Sequence, residues 1–411
     1  MRYSYGRLRS ARIRLRAAGA AVLAVSVLAS AGCGSESHAA KDQTIDLSKL
    51  DTGSYATKPT DATTSDPMTT GRELEAVRLA NIFPLGSEID PALIYNTAGT
   101  NVFTEANSFN DYVNVDHFTD DAKGFIAGFA TSARPAQDPD LGYTLTNAAM
   151  VFDTDADAGS AATALARSGL KLKSGTEVDP VQSTKHPASQ ILWAPSQQRL
   201  ASWTPIGKFV LFTMIDQAEN YSVEQEFGLA PEPMPLTLAD KAIDVTADRL
   251  KDFQTTPPDK LTGLPLDPDG MLRLTLQRPT GDQTTGGFPG TLNQHGMLHM
   301  VENLTYYRTV FDQTGVDRVS DGAGFLVRAR DSASAQAFLD NVSVTRTQHP
   351  IDPPAELPIA RCEKSHGPDP HAAPFHCYVA FGRYAATVWS QQLQDAYQRI
   401  SAQYAILANN K

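Results

Sequence analysis

The feature that most narrows the fold of this chain is a pattern that occurs twice. In the first half an apolar run, Tyr143 to Phe152, leads into Asp157-x-x-Ser160-Ala161-x-x-x-Leu165. In the second half Gly322 to Arg330 leads into Asp331-x-x-Ser334-Ala335-x-x-x-Leu339. In both, Asp lies at or near a helix start, and Ala and Leu four apart share a face able to pack on a sheet. Fifty residues after Asp157 comes Gly207-Lys208-Phe209, and fifty-one after Asp331 comes Gly382-Arg383-Tyr384, each between two apolar runs. Gly supplies the positive φ of a hairpin turn, and Lys or Arg keeps its tip in water. One matched helix start is chance. Two elements in one order at nearly one offset indicate an internal duplication.

Each half therefore predicts a strand, a helix, a hairpin and a second helix. The expected fold class is α+β: two tandem related domains, each an antiparallel sheet with helices packed on one face, ferredoxin-like or a similar open sandwich. The first half should hold strands at 124–130, 143–152, 191–193, 200–203 and 209–215, with helices at 158–167 and within 238–253. Thr255 to Gly270 is rich in Pro, Asp and Gly and marks the expected boundary, giving domains 72–258 and 259–411. The second half should hold strands at 271–276, 322–330, 378–381 and 384–389, and helices at 297–311, 333–342 and 393–407.

The N-terminus carries an address. Arg2, Arg7, Arg9, Arg12, Arg14 and Arg16 precede an uncharged stretch from Ala17 to Ala31, and small residues lead into Cys33. A basic start, a short apolar run and a small-residue junction make up a secretory signal. The run of fifteen residues is shorter than the roughly 20 that a helix needs to span a bilayer. Ala29-Ser30-Ala31-Gly32-Cys33 resembles the lipobox of bacterial lipoproteins, with Ser30 where Leu is usual. That resemblance implies cleavage after residue 32, a lipid on Cys33 and anchoring on the extracytoplasmic face of the cell membrane. Residues 33–71 are polar, Thr- and Pro-rich, and read as a disordered tether.

Of the 35 basic residues six lie in the signal, which leaves 29 against 46 acidic ones and a net charge of −17. So acidic a body is repelled by nucleic acid and by anionic headgroups, so its membrane contact is expected through the lipid on Cys33 alone. Besides Cys33 the chain has only Cys362 and Cys377. In an exported protein such a pair predicts a disulfide, which constrains the unfolded chain by roughly 3 kcal/mol. The duplication sets Cys362 where Trp193 lies in the first half, so the bridge should staple neighbouring strands.

Motifs for chemistry are weak. Asp153, Asp155 and Asp157 open like a calcium loop, but Ala158 and Ala164 stand where Gly and Glu are required. His366, His371 and His376 lie between the paired cysteines without zinc spacing. His295 and His299 are four apart with Gly296 between them and no neighbouring acid. Nucleophile elbows, phosphate loops and dinucleotide fingerprints are missing. No catalytic, cofactor-binding or metal-ligating residue is assigned.

The signal, tether, acidic duplicated body and late cysteine pair resemble an uncharacterised lipoprotein family of actinobacteria. The body reads as a non-catalytic binding or envelope-interaction protein, its small-molecule or protein ligand held between the halves. The alternatives are an envelope hydrolase with a dispersed site, in which His117 or His186 joins an acid, and a purely structural lipoprotein.

Overall fold

Long apolar strands are the reason this chain builds layers. The computed structural model describes residues 45–410 apart from 98, 107–112, 138–141, 231–232, 280–287, 289, 343–347 and 366–372. Cys33, His366 and His371 lie outside the described residues.

The first half opens with α1 (Pro67–Ala80), α2 (Gly86–Ile89), β1 (Tyr95–Asn96), β2 (Asn101–Phe103) and α3 (Phe118–Asp121). The hairpin β3 (Phe125–Arg134) and β4 (Thr144–Phe152) leads into α4 (Asp155–Ser168). Then come β5 (Asp179–Val181), β6 (Gln190–Ala194), β7 (Arg199–Ile206) and β8 (Phe209–Asp216), followed by α5 (Ala218–Glu226) and α6 (Leu236–Leu250). The second half holds β9 (Thr291–Asn293), α7 (Gln294–Leu298), α8 (Leu304–Thr314), β10 (Arg318–Asp321), β11 (Gly324–Arg328) and α9 (Ser332–Val342). It closes with β12 (Gln348–Ile351), β13 (Arg361–Ser365), β14 (Phe375–Phe381), β15 (Tyr384–Ser390) and α10 (Leu393–Ala408).

The strand orders are β1-β3-β4-β8-β7-β6-β5, with β2 also on β3, and β9-β10-β11-β15-β14-β13-β12. All neighbours are antiparallel. Both halves thus follow one path: a hairpin, a crossover helix, a four-strand meander returning beside the hairpin, and a closing helix. The α+β class and the two-part architecture are those expected.

Helices cover both faces of each sheet, not one. Met150 and Phe152 of β4 and Phe212 of β8 meet Ala158, Ala162 and Leu165 of α4. Their neighbours Ala149, Val151 and Leu211 face α1 and α6 through Val77, Leu79 and Ile243. In the second sheet Leu326, Val379 and Val388 face α10, while Val327, Tyr378 and Ala385 face α8 and α9. The physical reason is legible in β4, which is buried from Leu145 to Phe152 without a wet alternate position. A strand apolar on both sides needs two covers.

Pairing beside the hairpin turns gives the true register of the repeats. Val151 pairs with Phe209 and Arg328 with Tyr384, the residues just after each turn. Thr154 and Asp331, each three residues beyond its strand partner, are therefore equivalent. Thr154 caps α4 by accepting from Asp157 N–H, and Asp331 accepts from Ser334 N–H. The sequence match through Asp157 is one helical turn out of step, which leaves the buried face nearly unchanged and explains why it still found the repeat. One edge strand of each sheet, β5 and β12, carries a proline, Pro180 against Leu192 and Pro350 against Glu363. An edge proline blocks further pairing.

Cys362 and Cys377 are directly opposite on β13 and β14 and are disulfide-bonded, with Cα atoms 4.1 Å apart. Counted from the turn, their counterparts are Ile191 and Ser202, so Cys362 corresponds to Ile191, two residues before the expected Trp193. Three local expectations change. Residues 271–276 curl into a short turn of helix at Leu272–Leu274, because Asp267 accepts the N–H groups of Leu272 and Arg273. The helix expected at 297–311 is broken, since Asn303 caps a new one by accepting from Tyr306 N–H. The chain also meets the body well before residue 72: Leu50 is buried beside α10, and Tyr55 donates to Asp395 at 2.6 Å. Among the described residues no helix is long and apolar enough to cross a membrane.

Candidate functional site

A cleft of about 290 Å³ lies where α1 meets the segment between the halves and the strands β9 and β10. Its floor and walls include Leu74 and Val77 of α1 with Leu264, Pro265, Leu266 and Pro268 opposite. Proline at both ends of this short run keeps it extended. The α1 helix is set by Asp66, whose carboxylate accepts Thr69 N–H, and by Pro67 in its first turn.

Polar groups are few. Arg318 donates through Nε to Asp269 Oδ2 at 2.8 Å and through Nη1 to the Asp317 carbonyl at 2.8 Å. Arg328 is held by both oxygens of Asp317 at 2.8 Å and lies 4.0 Å from Asp269. Asn81 accepts from Asn293 N–H at 2.8 Å, and Arg78 pairs with the fully buried carboxylate of Glu75.

Beside the cleft, and sharing Leu266 with it, a cavity of about 230 Å³ contains two carboxyls, Asp321 and Glu73. Asp321 receives Phe288 N–H at 3.1 Å and Arg278 Nη2 at 3.4 Å. Burial outweighs Arg278 and pushes Asp321 up to about 7. Glu73 is pushed up by burial, and then by Asp66.

This shift has a sign for stability. Between pH 4 and 7 folded Asp321 keeps a proton that the unfolded chain has released, so its contribution weakens as pH rises and is constant above that window. We expect Asp321→Asn to remove a decline worth about 4 kcal/mol at most. Urea unfolding at pH 4.5 and 8 checks this: identical pH slopes in wild type and variant contradict it.

The histidines of the sequence lie elsewhere. His295 and His299 sit in the seam between the halves, where α7 reaches the end of α1. Gly296 allows that approach, since a Cβ there would lie 2.6 Å from Asn81 Oδ1. Both rings turn Nε2 towards the Phe83 carbonyl, at 2.6 and 3.0 Å. A carbonyl only accepts, so both Nε2 atoms carry hydrogen, and His299 Nδ1 accepts from Thr131 Oγ1 at 3.1 Å. Burial, then His295, lowers His299 to about 3. His376 turns Nε2 to the Ala373 carbonyl at 2.9 Å, and burial lowers it too. His186 pairs with Asp244 at 3.2 Å. Neither His186 nor the exposed His117 lines the cleft or the carboxyl cavity. Asp155 and Asp157 lie in the first turn of α4, favourable for a helix start.

Sequence reasoning missed Arg318, Asp269 and Asp321. The available signal was the charge-rich Asp317-Arg318-Val319-Ser320-Asp321, whose charges inside a strand imply partners.

No curated protein matches the chain. The N-terminal part of a family described as a domain of unknown function (DUF7373) matches residues 62–266, and its C-terminal part matches residues 271–410. These matches meet in the segment lining the cleft, and the chain belongs to the DUF7373 family.

Proposed function

We propose that this chain is an actinobacterial envelope lipoprotein, exported by its arginine-rich signal and held at the membrane through Cys33. Its body binds a small, largely apolar ligand in the cleft between the halves. The observation that carries the reading is that cleft: a concave, mainly apolar surface between two related halves with a few polar groups, the usual composition of a ligand site. The chain on either side of Cys33 supports the location, by its signal and its polar composition.

Native mass spectrometry of the protein purified from envelope extracts tests it. The expected result is an added small-molecule mass that disappears in Leu266→Trp, a partly buried position on the cleft wall, together with acyl groups on the Cys33 peptide. A bare protein in repeated preparations overturns the binding role, and an unacylated Cys33 overturns the anchor. A hydrolase is the second reading, favoured by the two raised carboxyls of the neighbouring cavity.

A further inference from the structure

The hydrogen-bonding groups of the cleft are unbalanced in a way that names a ligand class. Acceptors are taken: Asp269 Oδ2 by Arg318, Asn81 Oδ1 by Asn293 N–H, and Asn293 Oδ1 by Gly296 N–H. The second oxygen of Asp269 accepts no hydrogen bond among the described residues, but its charge is met by the Arg328 guanidinium at 4.0 Å. Donors are left over. Arg318 uses Nε and Nη1, and among the described residues its Nη2 has no hydrogen-bond partner. Asn81 uses its side-chain oxygen, and its Nδ2 is likewise unmatched among the described residues. The Thr291 hydroxyl is buried in the cleft wall with no hydrogen-bond partner. Of these only the Thr291 hydroxyl is buried and costly to leave unmatched, while Arg318 Nη2 and Asn81 Nδ2 are open to water that a ligand carrying acceptors would replace.

Building on the binding role above, we propose that the cleft takes an amphiphile with an anionic, oxygen-rich headgroup, a carboxylate or phosphate. The headgroup lies on Arg318, Asn81 and Thr291, and the apolar chain runs along Leu74, Val77, Leu264 and Leu266. Arg318 suits this role because Asp269 and the Asp317 carbonyl already hold its guanidinium, so little freedom is lost when the remaining edge is used. A cationic headgroup would meet leftover donors and an arginine, and a neutral alcohol could answer only one or two of them. The acidic surface slows the approach of an anion but acts through screened solvent, whereas contact in the cleft does not.

The test uses the chain from residue 33 onward with Cys33→Ser, so that neither detergent nor its own acyl groups compete. Calorimetric titration compares decanoate, decyl phosphate, decanol and decyltrimethylammonium. Both anions are expected to bind about tenfold or more tightly than the alcohol and the cation, the size of one or two charge-assisted hydrogen bonds. If only one anion does so, that result identifies the headgroup. Arg318→Gln should bring the anions down to the level of decanol, with a much smaller change for decanol, which carries no charge for the guanidinium to meet. Asn81→Asp keeps the acceptor for Asn293 N–H, adds a like charge, and should abolish anion binding at unchanged melting temperature. This second variant decides the matter if Arg318→Gln loosens β10. Equal or tighter binding of decanol or the cation overturns the proposal, as does anion binding that survives both variants. If none of the four binds while native mass spectrometry finds another ligand, the headgroup assignment fails and the binding role stands.

Discussion

Acidification from neutral pH to pH 4 is expected to take about 3 kcal/mol from the stability of this protein through His299 alone. The ring is fully buried, and its two nitrogens are committed to the Phe83 carbonyl and the Thr131 hydroxyl. Burial holds the folded-state value near 3, against an ordinary 6.5. Between those values the unfolded chain binds a proton that the folded chain refuses, so this contribution is complete above pH 6.5 and is lost as pH falls towards 3. Asp321 slopes the opposite way over nearly the same range, so the two partly cancel and the wild-type profile conceals both. His299→Gln separates them, because Gln can still donate to Phe83 and accept from Thr131 but does not titrate. Urea unfolding at pH 7 and pH 4 should show the wild type losing about 3 kcal/mol more than the variant. Equal losses would remove His299 as the cause.

Phe83→Ala is expected to cost 3–5 kcal/mol, the range for a fully buried aromatic. Phe83 has no exposed surface, packs edge-to-face on Phe129 with ring centroids 5.4 Å apart, and lies 6.2 Å from the His299 ring. Truncation leaves a cavity between α1, the first sheet and α7, which is the seam itself. The Phe83 carbonyl remains for both histidines, so the measured loss reports packing and not hydrogen bonding. Phe227→Ala is the control. That ring is 71 % exposed beyond α5, and its removal should stay within about 0.5 kcal/mol. A loss below 1 kcal/mol for Phe83→Ala would mean that the halves do not depend on this seam.

Local periodicity made most of the sheets legible. β4, β8, β14 and β15 are apolar runs bounded by turn residues, and Gly207 and Gly382 adopt the positive φ expected of them, +54° each. β10 hides because charges occupy three of the five residues from Asp317 to Asp321. Those charges are tolerated only because Asp269, Arg278 and Arg328 arrive from elsewhere. The edge strands β5 and β12 were not expected, because each is short and carries a proline, Pro180 and Pro350, that interrupts an apolar pattern.

The sequence by itself determined the long apolar strands and most of the longer helices, the repeated order of those elements, and a cysteine pair with no other cysteine beside it in the body. Each depends on residues near one another in the chain or on a simple count. Only the tertiary structure decided the cleft and the seam. Arg318 finds Asp269 49 residues away, and His299 finds Thr131 168 residues away. Such pairs arise because two sheets covered on both faces must share the helices and turns between them. Which polar side chains then meet depends on how the halves pack, and packing leaves no period in the sequence.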